Sequence, residues 1–242
     1  MSSAANTAAP AEPGHRSALA SVIESTIAPA AAEVDRDGAF PRAGLEALGA
    51  AGILGLLSSP AVGGPGGSLA DAAEVVEELA AACGSTAMVV LMHYAAVTVL
   101  EVHGSEDVRA AIARGEHLST LALSETGSRS HFWAPLSTAT GDGDGVRLDA
   151  AKSWVTSAGE ADSYVWSSRP VTGEGPMTLW VVPADAKGLS VAGRFDGLGL
   201  RGNASSPMKA EAVVVPVTAR LGEDAAGLDI ALGTALPTFL VG

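Results

Sequence analysis

Side chains that could support chemistry are concentrated between residues 121 and 156. This stretch carries the hydroxyls of Ser124 and Thr156, the carboxylate of Glu125 and the indole of Trp154. Short hydroxyls and backbone N–H groups can stabilise negative charge as it develops on a bound molecule, and an indole can shield a flat ligand from water. Alone, a serine in a turn usually caps the local backbone, and a tryptophan in a strand usually packs in a core. Their joint spacing indicates a binding site.

The sequence around these residues follows an ordered pattern. The segment LALSETGSRSH runs into the strand-like SHFWAPLSTAT, and the turn GDGDG and the segment VRLDAAKSWVTSAG follow. This stretch resembles the flavin-holding part of the acyl-CoA dehydrogenase family, in which a T-E-P-x-A-G-S-D segment precedes a hairpin and a K-x-W-I-T strand. From residue 125 to residue 139 the pattern fits without a gap. The residues that carry the match are Ser124, Glu125, Ser130, Lys152, Trp154, Val155 and Thr156.

The resemblance implies FAD as the cofactor and α,β-dehydrogenation of an acyl thioester as the reaction. Ser124 and the nearby backbone would stabilise negative charge on the reduced ring, and Trp154 would lie flat along that ring. Thr156 would face the hydride-accepting nitrogen, and Ser130 would bind the diphosphate of FAD or the end of the substrate. The implied cofactor-binding residues are Leu121, Leu123, Ser124, Ser130, Trp154 and Thr156. No metal-binding residues are predicted, and the single cysteine excludes a cysteine zinc site.

The chain departs from the family pattern near the expected substrate. Thr126 replaces a proline, Arg129 a glycine and His131 an aspartate. Arg129 could meet a phosphate or carboxylate and His131 could titrate near neutral pH, whereas a surface arginine and a packed histidine are the alternatives. In relatives, the helix that carries Met92 and Tyr94 lines the acyl tunnel, and a core role is again the alternative. The candidate substrate-binding residues are Met92, Tyr94, Arg129 and His131.

A further departure lies just before Lys152. Asp149 and Ala150 stand where the family prefers Asn-Gly. A turn of that kind needs positive φ, which an alanine adopts only with strain. We therefore expect Ala150 to lie in a strained turn.

The order of elements predicts an α+β fold. Apolar residues recur at helical spacing up to about residue 118, and alternating strands with glycine turns follow. The predicted architecture is an N-terminal helical bundle, then an antiparallel β-barrel or sandwich domain, and then the start of a further helix. The predicted boundaries are a disordered tail over 1–15, a helical domain over 16–118, a β domain over 119–220 and the start of a C-terminal helical domain over 221–242.

Individual elements can also be predicted. The first helix spans residues 17–27 and ends before Pro29, and the second spans residues 41–57. Ser68 is the expected cap of a third helix that ends at Gly84, and an apolar helix from Ser85 to about residue 102 precedes a short polar one. Predicted strands include residues 164–168, 177–182, 189–191 and 210–215.

Composition excludes several classes of partner. The formal net charge is -13 and no cluster of Lys and Arg exists, which argues against nucleic acid and anionic membranes. The apolar run over residues 87–100 is interrupted by His93 and Tyr94 and is shorter than the roughly 20 residues of a membrane span, so we expect a core helix. The single cysteine, Cys83, excludes an internal disulfide framework and fits a cytoplasmic protein. The first residues lack the pattern of a secretory signal.

The family's catalytic base is a glutamate of a C-terminal four-helix domain, and no residue here matches it. Glu125 corresponds to a structural residue of the family, so no catalytic residue is assigned. Residues 227–242 would be only the opening of that domain, and the sequence stops on the apolar run ALPTFLVG. We therefore expect a fragment, a truncated chain or one chain of a split enzyme.

Three hypotheses follow for the function. The first is an FAD-dependent acyl-CoA dehydrogenase acting on an acyl-CoA or a carrier-bound acyl group. The second is a flavin-dependent monooxygenase of the same fold, for which the unmatched base matters less. The third is a non-catalytic subunit that binds a partner chain through its apolar end. The expected assembly is a homo-oligomer or a complex with a chain that supplies the C-terminal helical domain.

Overall fold

A computed structural model of the protein describes residues 14–129 and 131–241. The predicted tail over residues 1–15 therefore lies almost entirely outside the described residues. The first half of the described chain is helical and the second half is built from strands, which confirms the predicted fold class. The helices of the first half are α1 (Gly14–Val22), α2 (Ala28–Asp37), α3 (Arg42–Ala50), α4 (Leu69–Ala82), α5 (Gly84–His103) and α6 (Glu106–Ala113).

The first helix does not end before Pro29, so that prediction is wrong. A π-helical turn, Ile23–Ile27, joins α1 to α2 without a break, and Ala28 N–H donates to Ile23 C=O. Pro29 lies in the first turn of α2. A proline has no N–H to donate, and the wider hydrogen-bonding pattern of the π turn lets the helix pass this position.

The remaining helix boundaries follow local capping. The prediction for Ser68 is confirmed, because its hydroxyl accepts from Asp71 N–H while the Asp71 carboxylate accepts from Ser68 N–H. Cys83 is extended and separates α4 from α5, so Gly84 begins α5 and does not end α4. The helix predicted over residues 41–57 is shorter than expected: α3 stops at Ala50, and turns follow it.

The described residues form two four-stranded sheets that do not close into a barrel. One sheet has the order β1-β4-β5-β8 and the other the order β2-β3-β7-β6. All pairings are antiparallel except that of β1 with β4, which is parallel. The strands are β1 (Ser119–Ala122), β2 (Thr138–Asp142), β3 (Gly145–Val155), β4 (Ser163–Ser168), β5 (Thr178–Pro183), β6 (Leu189–Val191), β7 (Ser206–Pro216) and β8 (Arg220–Leu221).

Asp149 and Ala150 lie inside β3, so the prediction of a strained turn at Ala150 is wrong. The register of β3 against β7 shifts between Leu148 and Ala150, and the positive φ of 53° falls on Ala212 of the facing strand. Asp149 Oδ1 accepts from Ala212 N–H at 2.8 Å. A β-bulge thus absorbs the irregularity, and the aspartate stabilises the bulged backbone.

Helix α5 is the centre of the helical half. It is long and apolar enough to cross a membrane by length and composition, but 72% of its apolar window is buried inside the fold. A helix that is apolar on all sides is a core helix when neighbours surround it. The prediction of a core helix is confirmed.

Helices α7 (Gly227–Ile230) and α8 (Leu236–Val241) are joined by a π-helical turn, Ala231–Ala235. This last helical stretch packs on α5, where the Thr98 hydroxyl donates to Thr234 C=O at 3.2 Å. The chain thereby returns from the sheets to the helical half and forms one side of a cleft above β1.

The side chains of two residues of α5 fix it to the segments around it. Tyr94 Oη donates to Ile53 C=O at 2.6 Å. His93 Nε2 lies 3.1 Å from Leu54 C=O, and its Nδ1 accepts from Ser119 N–H at 3.1 Å. The neutral ring with a proton on Nε2 satisfies both contacts. Since Ser119 begins β1, His93 ties the strand that leads into the candidate site to the helical core.

His93 makes stability depend on pH. Its complete burial lowers its pKa to about 4, from 6.5. Between these two pH values the unfolded chain takes up a proton that the folded chain does not, so the free energy of unfolding falls as pH decreases. Above pH 6.5 this contribution is fully present. We expect His93→Gln to show a weaker decline of stability over this window than the wild-type chain.

Urea unfolding at a series of pH values measures this difference directly. His103→Gln is the matched control and should retain the wild-type pH dependence. Identical pH dependence of His93→Gln and the wild-type chain would contradict the assignment of a neutral buried His93.

Candidate functional site

A buried ion pair fixes the first part of the site. Lys152 Nζ lies 2.6 Å from Glu125 Oε1, and both side chains are almost completely buried. Lys152 also donates to the carbonyl and the hydroxyl of Ser167, at 2.7 and 2.8 Å. Glu125 follows β1, Lys152 belongs to β3 and Ser167 to β4. One ammonium group therefore connects the two sheets at this point.

The Glu125 carboxylate also organises the loop that follows it. Its Oε2 accepts from the N–H groups of Leu136 and Ser137, and the Ser137 hydroxyl donates to Oε1. Burial alone would raise the pKa of Glu125, but Lys152 and these donors hold it below its usual range. Burial lowers the pKa of Lys152, and Glu125 counteracts that effect. The carboxylate is therefore ionised and fully committed to structural contacts.

An apolar cavity of about 380 Å³ opens beside this pair. Its floor is the end of β1 and the residues after it, one wall is α5, and the last helical stretch forms the opposite side. The described residues that line it include no carboxylate and no basic group. They are Met88, Met92, Leu121, Leu123, Ser124, Phe132, Ser153, Trp154, Thr156, Ala231, Ala235, Leu236 and Phe239.

Trp154 is held in an unusual conformation at the rim of this cavity. Its φ is 57°, in the left-handed region, and the residue is 70% exposed. The pairing of β3 with β7 is interrupted between Lys152 and Val155, and Ser153 N–H donates instead to Ser124 C=O at 3.0 Å. For a bulky side chain this backbone conformation costs about 1–2 kcal/mol. A large exposed indole in a strained backbone is typical of a functional site rather than of a core.

The hydroxyls at the cavity differ in their surroundings. Ser124 lines the cavity and has no side-chain hydrogen bond among the contacts of the described residues. Thr156 is buried, and its Oγ1 lies 3.0 Å from Ser205 Oγ. Ser205 N–H in turn donates to Asn203 Oδ1 at 2.9 Å. If Ser205 donates to Thr156, the threonine proton points to the cavity, so this pair can present one donor to a ligand.

Most of the predicted cofactor residues meet at one place. Leu121, Leu123, Ser124, Trp154 and Thr156 all line the apolar cavity. Ser130, the sixth predicted cofactor residue, lies outside the described residues. The side chains of Ser124 and Trp154 thus border the same open cleft.

The four predicted substrate residues lie in four different places. Met92 lines the apolar cavity. Tyr94 does not: it is completely buried with its hydroxyl bonded to Ile53, so the core alternative describes it. Arg129 lines a second cavity of about 560 Å³, which shares Ser124, Ser153 and Trp154 with the first. His131 is exposed beside Trp133, with a centroid distance of 4.9 Å, and it lines neither cavity.

Sequence reasoning missed several lining residues. Met88 lies one helical turn before Met92 on the same face of α5, so its spacing carried a usable signal. Phe132 belongs to the segment that departs from the family pattern. Ala231, Ala235 and Phe239 follow one another at four-residue spacing, but only the fold shows that this helical stretch returns over the cavity.

Comparison with known proteins gives a consistent result. A family model described as acyl-CoA dehydrogenase, N-terminal domain, matches residues 13–115, and one described as acyl-CoA dehydrogenase, middle domain, matches residues 120–213. The short-chain specific acyl-CoA dehydrogenase of Clostridium acetobutylicum is 27% identical over 218 residues, which cover 87% of this chain and 58% of the relative. The human mitochondrial short-chain specific acyl-CoA dehydrogenase is 29% identical over 219 residues, covering 87% of this chain and 53% of the relative.

The fold comparison agrees with the sequence comparison. The structure of butyryl-CoA dehydrogenase from Megasphaera elsdenii superposes with a TM-score of 0.84 at 21% identity. The match covers 92% of this chain and 62% of that structure. The chain thus spans little more than half the length of the relatives it matches.

The buried pair generates a prediction about stability. Removing one charge leaves the other buried without a counter-ion, which costs about 3–5 kcal/mol. We expect Glu125→Gln to lower the free energy of unfolding by about this amount, and Glu125→Gln combined with Lys152→Met to be less destabilised than the sum of the single variants. A double-mutant cycle by urea unfolding gives the coupling energy.

The exposed pair of Arg114 and Glu116 is a matched control. Their side chains are 57% and 61% exposed, so Glu116→Gln should cost less than about 1 kcal/mol. Additive effects of the Glu125 and Lys152 substitutions would contradict the role given to this pair.

Proposed function

The chain belongs to the acyl-CoA dehydrogenase family, and on this premise we propose that it is an FAD-dependent oxidoreductase for the α,β-dehydrogenation of an acyl thioester. The observation that carries the proposal is the strained, exposed Trp154 at the rim of an apolar cleft that also contains the Ser124 hydroxyl. Strain of this kind persists only where surrounding contacts enforce it. Here the buried pair and the Ser153 to Ser124 hydrogen bond do so.

The residues present fit a flavin. The cleft is apolar and bordered by an exposed indole, as a flat aromatic ring system requires. The hydroxyls of Ser124 and Thr156 supply donors at its edge. When bound, FAD would supply a two-electron acceptor for the hydride released from the β-carbon of the acyl thioester, whose α-carbon loses a proton.

Each group of residues has a distinct role in this proposal. The indole of Trp154 would pack against the flavin ring and exclude water from it. The hydroxyls of Ser124 and Thr156 donate towards the position where negative charge develops. Met88, Met92 and Phe239 form apolar walls for the acyl chain.

In this proposal the described residues bind and orient the flavin and the acyl thioester. None of them is assigned the abstraction of the substrate proton. No carboxylate of the described residues lines the apolar cavity. Glu125 is near, but its oxygens are occupied by Lys152, Ser137 and the backbone of Leu136. A general base needs an oxygen free to reach the substrate proton, and Glu125 offers none.

The substrate and the assembly can be proposed more narrowly. Two relatives named as short-chain specific acyl-CoA dehydrogenases match the chain, and Phe132 and Phe239 add bulk to the cavity wall. We therefore propose a short acyl group on coenzyme A or on a carrier protein as the substrate. We also propose a cytoplasmic location and assembly as a homo-oligomer or with a helical partner chain.

Flavin binding and reduction test the proposal. The chain should retain FAD on gel filtration. Once a helical partner chain supplies a carboxylate base for the α-proton, butyryl-CoA added under anaerobic conditions should bleach the flavin absorbance. A flavin that stays oxidised with thioesters, but consumes oxygen when a reductase and an aromatic substrate are supplied, would favour a monooxygenase of the same fold. Failure to retain FAD, alone or with a helical partner, would overturn the flavin proposal.

A substitution of Trp154 should affect FAD binding without lowering the free energy of unfolding. Glycine adopts positive φ without strain, so Trp154→Gly should leave the free energy of unfolding unchanged or raise it by up to about 1 kcal/mol. The same substitution should weaken FAD binding at least about tenfold, since it removes the aromatic contact with the ring. Flavin fluorescence titration and urea unfolding measure the two effects.

Leu198→Ala is the control for loss of exposed apolar surface, because Leu198 is fully exposed and lines neither cavity. Leu198→Ala should change neither the affinity for FAD nor the free energy of unfolding. Destabilisation of Trp154→Gly by several kcal/mol would show that the indole serves the core instead.

A further inference from the structure

The second cavity has a different chemical character from the first. It measures about 560 Å³, shares Ser124, Ser153 and Trp154 with the first, and has two arginines, Arg129 and Arg194, in its wall. The two cavities therefore meet at Trp154. A ligand that crosses this point passes from an apolar environment into one with positive charge.

These two arginines differ from the other arginines of the chain. Within residues 14–129 and 131–241, neither Arg129 nor Arg194 has an ion pair or a hydrogen bond to its side chain. The other arginines each pair with a carboxylate or bind a backbone carbonyl, namely Arg16, Arg36, Arg42, Arg109, Arg114, Arg147, Arg169, Arg201 and Arg220. In a chain with a net charge of -13, the two unpaired guanidinium groups share one cavity.

The acidic residues of the same wall are compensated. Glu125 pairs with Lys152, and Asp196 Oδ1 lies 3.9 Å from Arg201 Nη1. Neither Arg129 nor Arg194 is bound to one of these carboxylates. An anion that enters meets a local excess of positive charge although the whole chain repels it.

The backbone at Arg129 supports a role for its side chain. Its φ is 53°, a conformation that costs a non-glycine residue about 1–2 kcal/mol. The family pattern has glycine at this position, and glycine would fit without strain. An arginine here keeps the strained backbone and adds a cation beside the cavity.

We propose that Arg129 and Arg194 form an anion clamp for a diphosphate group. Guanidinium groups bind phosphate oxygens through paired hydrogen bonds, and two of them match the two charges of a diphosphate. This inference rests on the proposed function, because the diphosphate belongs either to the flavin dinucleotide or to the carrier of the acyl thioester. One elongated ligand would then place its apolar part in the first cavity and its diphosphate in the second. Trp154, which lines both cavities, would contact the ligand between these two parts.

Inorganic pyrophosphate tests the clamp without reference to either ligand. Isothermal titration calorimetry on the full chain should give an affinity that falls about tenfold or more in Arg129→Gln and in Arg194→Gln, and further in the double variant. Wild-type binding should also weaken with added salt. Arg147→Gln is the matched control, because Arg147 pairs with Asp149 outside the cavity. Equal affinities of all variants, or no binding by the wild-type chain, would overturn the clamp.

Two further titrations identify the source of the diphosphate. If the clamp serves the flavin, both cavity variants weaken FAD binding and leave riboflavin binding unchanged. If the clamp serves the acyl carrier, both variants weaken binding of butyryl-CoA. Binding of the butyryl-pantetheine thioester, which has no diphosphate, stays unchanged. Variants that bind FAD and butyryl-CoA like the wild-type chain would refute the clamp while the proposed function stands. A wild-type chain that binds pyrophosphate but no flavin would refute the proposed function alone.

Discussion

The site depends on the burial of one Lys–Glu pair. Two charges without water are expensive, and the structure offsets this cost by giving the pair almost every hydrogen bond it can make. Lys152 uses its three protons on Glu125 and Ser167, and Glu125 receives the loop around Ser137. These bonds have directions, whereas apolar contacts have none. The pair therefore specifies how β3 lies against the end of β1 and against β4.

This constraint explains why Trp154 can be strained. The residues beside it have no freedom to relax, because Lys152 is held on one side and Val155 pairs with Ser206 on the other. A strand confined at both ends accommodates the intervening residues by a bulge, which turns the indole out of the sheet. The exposure of Trp154 therefore follows from the contacts of Lys152 and Val155 and not from contacts of the indole itself. The buried pair fixes the geometry of the strand, and the cleft surface is left available for binding.

Much of this arrangement could be predicted from the sequence, because it lies in two short segments. Ser124, Glu125, Lys152 and Trp154 are recognisable by type and spacing, and local rules fix the Ser68 cap. Tyr94 shows where such reasoning stops. Helix α5 is apolar on all sides, so periodicity cannot tell the face towards the cleft from the face towards the core. The hydrogen bond from Tyr94 to Ile53 C=O, which only the fold shows, places this side chain in the core.

Other features depend on contacts between residues far apart in the chain. Whether a proline ends a helix depends on the turn before it, and the π turn before Pro29 carries no clear sequence signal. Arg194 reaches the site from the loop after β6, and the helical stretch over the cavity comes from residues 231–239. Both depend on how the two sheets fold back on the helices. The spacing of residues within one segment does not predict how these distant segments come together at the site.

The distribution of charge connects the fold to the ligand that it suits. Most arginines of this acidic chain are bound to a carboxylate, so the long-range field is negative, while two arginines without a bound carboxylate lie in the wall beside Trp154. A purely anionic molecule is repelled at a distance, and a purely apolar one gains nothing from the arginines. A ligand with a flat apolar head and an anionic tail gains from both cavities at once. Trp154 lines both cavities, so such a ligand would contact the indole between its apolar head and its anionic tail.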